Sequence, residues 1–270
     1  EVLPGSGGLK QYGGRVHTRR MQDLPFKPNT MLTQDQMLIV RWYCINDLVQ
    51  TEECFIALQE PIHLREIMSK EYGVDLRSRS DAQIAEDVIK HEIQALTGVR
   101  PQRPQVYPGT KYAYNIPDFI RFQTPLMNSV LDIVRDCRFV VSDNGGVSLP
   151  PALTGLEIKI ADGVYRMGIG GLHSSEECAG HGKEPGIKKR DIDVTSYYPS
   201  IILNQGLYPE QLGPAFLRVY KSIVDRRIAA KHSGDKNTAN TLKIVINGSF
   251  GKLGSMWSVL YAPQLLIQVT

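Results

Sequence analysis

An acidic residue placed ahead of an aromatic-proline pair, Asp193 with Tyr198-Pro199, and two polar pairs at helical spacing, Arg227/Lys231 and Lys243/Asn247, are suited to phosphate chemistry. Transfer of a nucleotidyl group needs divalent cations and hard oxygen ligands, because negative charge on the polyphosphate must be neutralised in the transition state. Asp193 offers a carboxylate, and the Val194 carbonyl beside it is a second oxygen donor of the kind Mg²⁺ takes. By itself an Asp here reads as an ordinary turn-capping residue, and Asp191, two positions earlier, would share a strand face with it. Residues four apart on a helix lie on one face, so each of the other two pairs presents its polar groups together. Arg suits bidentate phosphate contact and Lys point-charge neutralisation, although Arg226, Arg227 and Lys231 also read as a solvated helix face.

The elements that would position these groups follow from periodicity. Ile192 and Val194 alternate as in a strand that runs into a tight turn at Tyr198-Pro199. From Pro214 to His232, Leu217, Tyr220, Val224 and Ile228 mark one face of a helix, Ser233–Thr238 turns it, and a second helix carries Lys243 to Gly251. Gly248 and Gly251 within that helix cost about 1 kcal/mol each relative to Ala, which a close approach of a ligand would offset. Upstream, Thr33-x-x-Gln36 is a capping box ahead of a helix with Met37, Val40, Cys44 and Leu48 on one stripe, placing Tyr43 and Asp47 one turn apart. Pro61 to Gly73 reads as a second helix, and Ser80-x-x-Gln83 caps a third, with Ile84, Val88, Ile89, Ile93 and Leu96, that stops at Gly98. Residues 99–116 read as an extended connector, and Thr124-Pro125 starts a helix to about Cys137. Asp143-Asn-Gly-Gly146 and Ala161-Asp-Gly163 punctuate hairpins with Leu156, Ile158 and Ile160 in alternation. The expected fold class is α+β.

Composition narrows the classes. With 270 residues, 42% of them hydrophobic, the chain is long enough for one large or two modest globular domains. A net charge of +3 is compatible with nucleic acid without requiring it. Cys44, Cys54, Cys137 and Cys178 have no framework spacing, which fits free thiols in a reducing compartment such as the cytoplasm. No apolar run is long enough to span a bilayer, so no membrane role is expected. His173-x₄-Cys178-x₂-His181 has three zinc-type ligands but no evident fourth.

Asp193-Val-Thr-Ser-Tyr-Tyr-Pro-Ser-Ile-Ile202 and Lys243-Ile-Val-Ile-Asn-Gly-Ser-Phe-Gly251 resemble motifs A and B of the family B DNA polymerases, D-x-x-S-L-Y-P-S-I-I and K-x-x-x-N-S-x-Y-G. Arg227-Ile-Ala-Ala-Lys231 between them is similar to the R-x-x-x-K pair of that family's fingers, and Tyr43-Cys-Ile-Asn-Asp47 to its third exonuclease motif. Met167-Gly-Ile-Gly-Gly-Leu-His-Ser174 sits where phage-type members carry a glycine-rich turn, so the likeness spans most of the chain. The resemblance implies that Asp193 and Val194 hold Mg²⁺ in a two-metal site whose second carboxylate lies outside this chain. It implies that Tyr198 lies beneath the incoming sugar as a steric gate, although a tyrosine packed for its area reads the same way. It implies that Arg227, Lys231, Lys243 and Asn247 bind the dNTP triphosphate, with Lys243 as proton donor to pyrophosphate. Gly170, Gly171, Phe250 and Gly251 would approach primer-template DNA, although Gly170-Gly171 also reads as a plain turn, and Lys183, Lys188, Lys189 and Arg190 as either a phosphate edge or a solvated loop. Tyr43 and Asp47 would serve a 3′–5′ exonuclease, against the alternative of a helix Asp facing solvent. Gly248 replaces the family's Ser and Phe250 its Tyr, so roles resting on that hydroxyl do not carry over.

The implied architecture is residues 1–60 as the end of an exonuclease domain and 61–150 as a helical and β connector. Residues 151–213 would be palm with an antiparallel sheet, 214–252 two-helix fingers, and 253–270 the start of a return to the palm. The expected function is DNA-directed DNA polymerase with proofreading in a longer parent, acting on primer-template DNA and dNTPs alongside other replication proteins. The isolated piece is expected to be incomplete. The alternatives are a non-catalytic DNA-binding module on the same scaffold, or another palm-type polymerase.

Overall fold

The structure is a computed structural model, describing residues 7–160, 163–175, 186, 188, 190–194 and 196–270. The chain is mixed α+β, as expected, and divides into two compact units, one up to Asp81 and one from Ala82.

In the first unit, α1 (Leu9–Arg15) packs on α2 (Gln34–Ala57), and α3 (Gln59–Tyr72) follows. The capping box forms as read from the sequence: Gln36 N donates to Thr33 Oγ1 at 3.3 Å and Thr33 N to Gln36 Oε1 at 2.9 Å. The apolar stripe does not become a core. Met37, Cys44 and Leu48 are exposed, and the buried residues of α2 are Asn46, Gln50 and Cys54. The reason is α1, which meets α2 so closely at Gly13 that a Cβ there would stand 1.8 Å from Gln50 Nε2. Spacing shows that a helix has faces; it does not show which face a neighbour covers. α3 starts two residues before the predicted Pro61 and ends at Gly73, whose φ of +64° is the left-handed cap conformation that Gly adopts without penalty. Buried Arg65 anchors this end by donating to Asp81 Oδ1 at 2.6 Å.

The second unit begins with α4 (Asp81–Thr97), which buries Ile84, Ala85, Val88, Ile89 and Ile93 and stops before Gly98, as its period predicts. The connector carries only a short strand, β1 (Lys111–Tyr112). It pairs antiparallel with β2 (Phe139–Val141), which pairs with β3 (Val147–Ser148) across the turn at Asn144-Gly145-Gly146. A meander of β4 (Glu157–Ile160), β5 (Gly163–Gly168) and β6 (Gly171–Ser174) forms a second antiparallel sheet. α5 (Pro125–Asp136) lies between β1 and β2 in the chain. Val134 on α5, Cys137, Phe139, Leu153 and Ile267 make a core cluster, with Tyr112, Tyr114 and Met167 against it.

α5 starts where the Thr124-Pro125 pair places it, with Thr124 Oγ1 accepting from Met127 N at 3.3 Å. Thr124→Ala removes this cap from an exposed position and should lower the unfolding free energy by about 1 kcal/mol, while Thr124→Ser should retain most of it; urea denaturation of both variants tests this.

The remaining helices are α6 (Tyr197–Asn204), α7 (Ala215–Ser233), α8 (Lys236–Lys252) and α9 (Pro263–Val269). α7 and α8 form the expected helical hairpin, closed by Gly234 in the left-handed conformation and by Asp235, whose side chain caps α8 through Thr238 N at 3.1 Å. That hydrogen bond holds the Asp235 carboxyl below its ordinary pKa. The buried face of α7 is Phe216, Val219, Tyr220, Ile223 and Val224, rotated from the predicted stripe so that Ile228 is exposed. Phe216 and Tyr220 stack at 5.2 Å, and burial pushes the Tyr220 hydroxyl up to about 12. The loop after α8 is tied down by backbone contacts: Val259 N donates to Glu86 Oε1 at 3.0 Å and Tyr261 OH to Gly145 O at 2.7 Å.

Two local expectations differ from the structure. Residues 191–194 form no strand, and Ile192 is 84% exposed. A strand needs a neighbour to take its backbone hydrogen bonds, and neither sheet includes this segment. Tyr198-Pro199 is not a tight turn but the first turn of α6, where Pro199 lacks only an N–H that a helix start leaves unpaired.

Candidate functional site

α6 enters from Ser196, whose φ of +52° is a left-handed conformation uncommon outside Gly, and Ser200 N closes the first turn on Ser196 O at 2.9 Å. This start sets Tyr197 and Tyr198 side by side, ring centroids 5.9 Å apart. Tyr198 then lies face to face with Phe250 of α8, at 4.2 Å between centroids and 15° between planes. Two segments about fifty residues apart in sequence, each singled out for its motif, therefore meet through their aromatic residues. The stack is worth on the order of 1 kcal/mol beyond burial, and it fixes the ring plane of a half-buried Tyr198.

Along α8, Lys243, Asn247 and Gly251 are all exposed and four residues apart, so they share one solvent-facing stripe. A Cβ on Gly251 would meet nothing within 4 Å among the described residues, so packing against them does not require its smallness. That leaves an open surface beside Phe250. Gly248, one residue beyond Asn247, is buried.

The cations of α7 are sorted by their partners. Lys221 donates to Asp225 at 2.6 Å and Arg226 to Glu92 at 3.1 Å. Arg227 differs: it is half-buried, and its Nε is buried without an acceptor among the described residues. A buried guanidinium N–H left unpaired costs free energy that an incoming anion would recover. Arg227 lies eight residues before Asp235 and Lys243 eight after it, so across the hairpin they stand at the same level, about 12 Å from the tip. Lys231 is exposed one turn nearer the tip.

Asp193 and Val194 are exposed in the irregular segment before α6, as is Asp191. Their oxygens are of the hard type that Mg²⁺ takes, and an exposed carboxylate with an adjacent carbonyl is open to a cation. No three His, Cys, Asp or Glu side chains cluster in metal-binding geometry among the described residues. Of the zinc-type set, His173 is on β6, and Cys178 and His181 lie outside the described residues. The same holds for Lys183 and Lys189 of the basic run, whereas Lys188 and Arg190 are exposed.

Gly170 and Gly171 form the β5–β6 hairpin, in which Gly168 pairs with Gly171, and Gly171 needs its φ of +113° there. Arg166 nearby is engaged by Glu157 across β4–β5 and holds that carboxyl below its ordinary pKa. In the first unit, Tyr43 and Asp47 share α2 as predicted, with Lys10 Nζ 4.7 Å from the Tyr43 ring centre. Asp47 does not simply face solvent: its Oδ1 is buried without a partner among the described residues, as are Asn46 Nδ2 and Gln50 Oε1 on the same side of the helix. Cys44, Cys54 and Cys137 are free thiols, and burial pushes those of Cys54 and Cys137 up.

A cavity of about 780 Å³ between the connector, the segment after α6 and α9 includes none of the predicted site residues. Two of its lining amides are committed to the fold: Gln268 bonds both backbone groups of Asn115, and Gln211 Nε2 donates to Val259 O at 2.7 Å. Sequence reading missed the Glu92 partner of Arg226 and the exposed Trp257 beside Arg103, since neither pairing has a local signature. Searches against protein families, curated proteins and solved structures found no match to this chain. No helix among the described residues is long and apolar enough to cross a membrane.

Proposed function

We propose that this chain is the exonuclease-to-fingers part of a family B type DNA-directed DNA polymerase. The observation that carries the reading is the Tyr198–Phe250 stack, because it joins motif A to motif B at a residue the resemblance assigns to the incoming nucleotide and one it assigns to the primer-template DNA. The unpaired Arg227 level with Lys243, and the open Lys243–Asn247–Gly251 stripe, support the same reading.

In this function Asp193 and the Val194 carbonyl hold Mg²⁺, together with a carboxylate from elsewhere in the parent protein. The metal supplies neutralisation of triphosphate charge and acidification of the primer hydroxyl. Arg227, Lys231 and Lys243 bind the triphosphate, Arg227 through a fork already half desolvated. Lys243 holds the proton that the leaving pyrophosphate needs. Tyr198, held flat by Phe250, closes the space a 2′ hydroxyl would occupy. Tyr43 and Asp47 contribute to a separate proofreading site in the first unit.

Template-directed primer extension by the full polypeptide containing this chain, with deoxyribonucleotides and ribonucleotides in competition, tests the assignment. Tyr198→Ala should relax sugar discrimination by about 10- to 200-fold, the range one small group in a close-fitting pocket provides. Phe250→Ala should relax it in the same direction but less, since it frees the ring without removing it. Phe250→Tyr should behave as the parent. Absence of templated extension, or discrimination unchanged in Tyr198→Ala, would overturn the reading and favour a non-catalytic DNA-binding module.

A further inference from the structure

The loop that follows α8 presents Trp257 with 72% of its surface exposed, an unusual state for the largest apolar side chain. The Arg103 guanidinium lies 5.7 Å from the indole centre, within cation–π distance. Together they edge a polar groove of about 560 Å³ that also takes in Lys90 and Arg100. The acidic groups there are already neutralised: Glu86 meets Lys252 at 3.2 Å and Asp87 meets Lys90 at 3.0 Å. Arg100 and Arg103 have no carboxylate partner among the described residues, so the groove keeps uncompensated positive charge next to an open aromatic ring. The backbone beneath is fixed, with Pro101 buried between the two arginines and Val259 N bonded to Glu86. An aromatic platform beside cations on a fixed backbone matches what an unpaired nucleic-acid strand requires: a π face for a base and charge for its phosphates.

We propose that Trp257, Arg100 and Arg103 form a binding surface for single-stranded nucleic acid, with a base stacked on Trp257 and the flanking phosphates on the two arginines. Its use for the template strand rests on the polymerase reading above; the binding itself is measured without catalysis.

The probe is oligothymidylate, with oligouridylate as a parallel arm, each of about 20 nucleotides. The chain has two tryptophans, Trp42 and Trp257, so the Trp42→Phe protein reports Trp257 fluorescence alone. Quenching on titration is expected. Trp257→Ala should weaken binding about tenfold with the salt dependence unchanged, as loss of one base stack does. Arg103→Ser and Arg100→Ser should each lower the slope of log affinity against log salt by about 0.7, one phosphate contact apiece. All three positions are exposed, and an unchanged thermal unfolding curve verifies the fold. Unquenched Trp257, or affinity and salt slope unaltered in the three variants, overturns the surface whether or not the parent extends primers. Trp257-dependent binding in a protein that extends no primer would uphold the surface and overturn the polymerase reading instead.

Discussion

Asp193→Ala in the full polypeptide should reduce the rate of primer extension at least about 10³-fold, while Asp191→Ala should leave it within a few fold. A metal held against a reacting phosphoryl group contributes several kcal/mol to the transition state, and each 1.36 kcal/mol is tenfold in rate. Both aspartates are exposed in the same irregular segment, so neither substitution removes a packing contact and both proteins should unfold at the parent temperature. The comparison isolates the carboxylate's position from its mere presence. Asp193→Asn, which keeps the shape and loses the charge, should be about as impaired as Asp193→Ala. Binding of primer-template should survive in all three, since the role proposed for Asp193 is toward the triphosphate. Equal extension by Asp193→Ala and parent would remove the metal-ligand assignment.

Lys243→Ala is expected to lower kcat/KM for the incoming nucleotide by about 10²- to 10³-fold, the loss seen when one preorganised donor to developing charge is removed. Lys243 projects from the exposed stripe of α8 with no ion-pair partner among the described residues, so its charge is available to a ligand. Lys243→Arg should recover part of the binding and less of the turnover, because Arg holds the charge but does not release a proton at working pH. Arg226→Ala supplies the contrast. Its pairing with Glu92 ties α7 to α4, so its loss should appear as a small decrease in stability and no comparable change in kcat/KM. Were Arg226→Ala the more damaging of the two to kcat/KM, the proposed division between holding α7 on α4 and gripping the nucleotide would be reversed.

The helices with local punctuation were legible before any tertiary information. Thr33 and Gln36, Thr124 and Pro125, and the glycines at 73, 98 and 234 all act within one turn of the backbone, and each element begins or ends within about two residues of where they place it. The faces of those helices were less legible. α2 turns Asn46 and Gln50 inward and leaves its apolar stripe outside, because α1 docks on the polar side through Gly13. α7 is rotated by about one residue from its predicted stripe, because several i, i+3, i+4 sets satisfy the same period and contact with α8 selects among them. The strand read into Ile192 and Val194 is absent because alternation describes a strand's two surfaces, whereas a strand exists only when another backbone pairs with it.

The candidate site divides along the same line. Residue type and spacing determined that Asp193 offers a hard oxygen ligand and that Arg227/Lys231 and Lys243/Asn247 each pair polar groups on one helix face, since charge, hardness and helical period are local properties; their assignment to a metal-bound triphosphate comes from the motif resemblance and is part of the proposal. Only the tertiary structure decided that Tyr198 lies on Phe250, that Arg226 is spent on Glu92 while Arg227 keeps an unpaired N–H, and that Trp257 stands open beside Arg103. Each of these is a contact, or the lack of one, between side chains distant in sequence. Such contacts depend on how whole helices pack, and no local pattern encodes that.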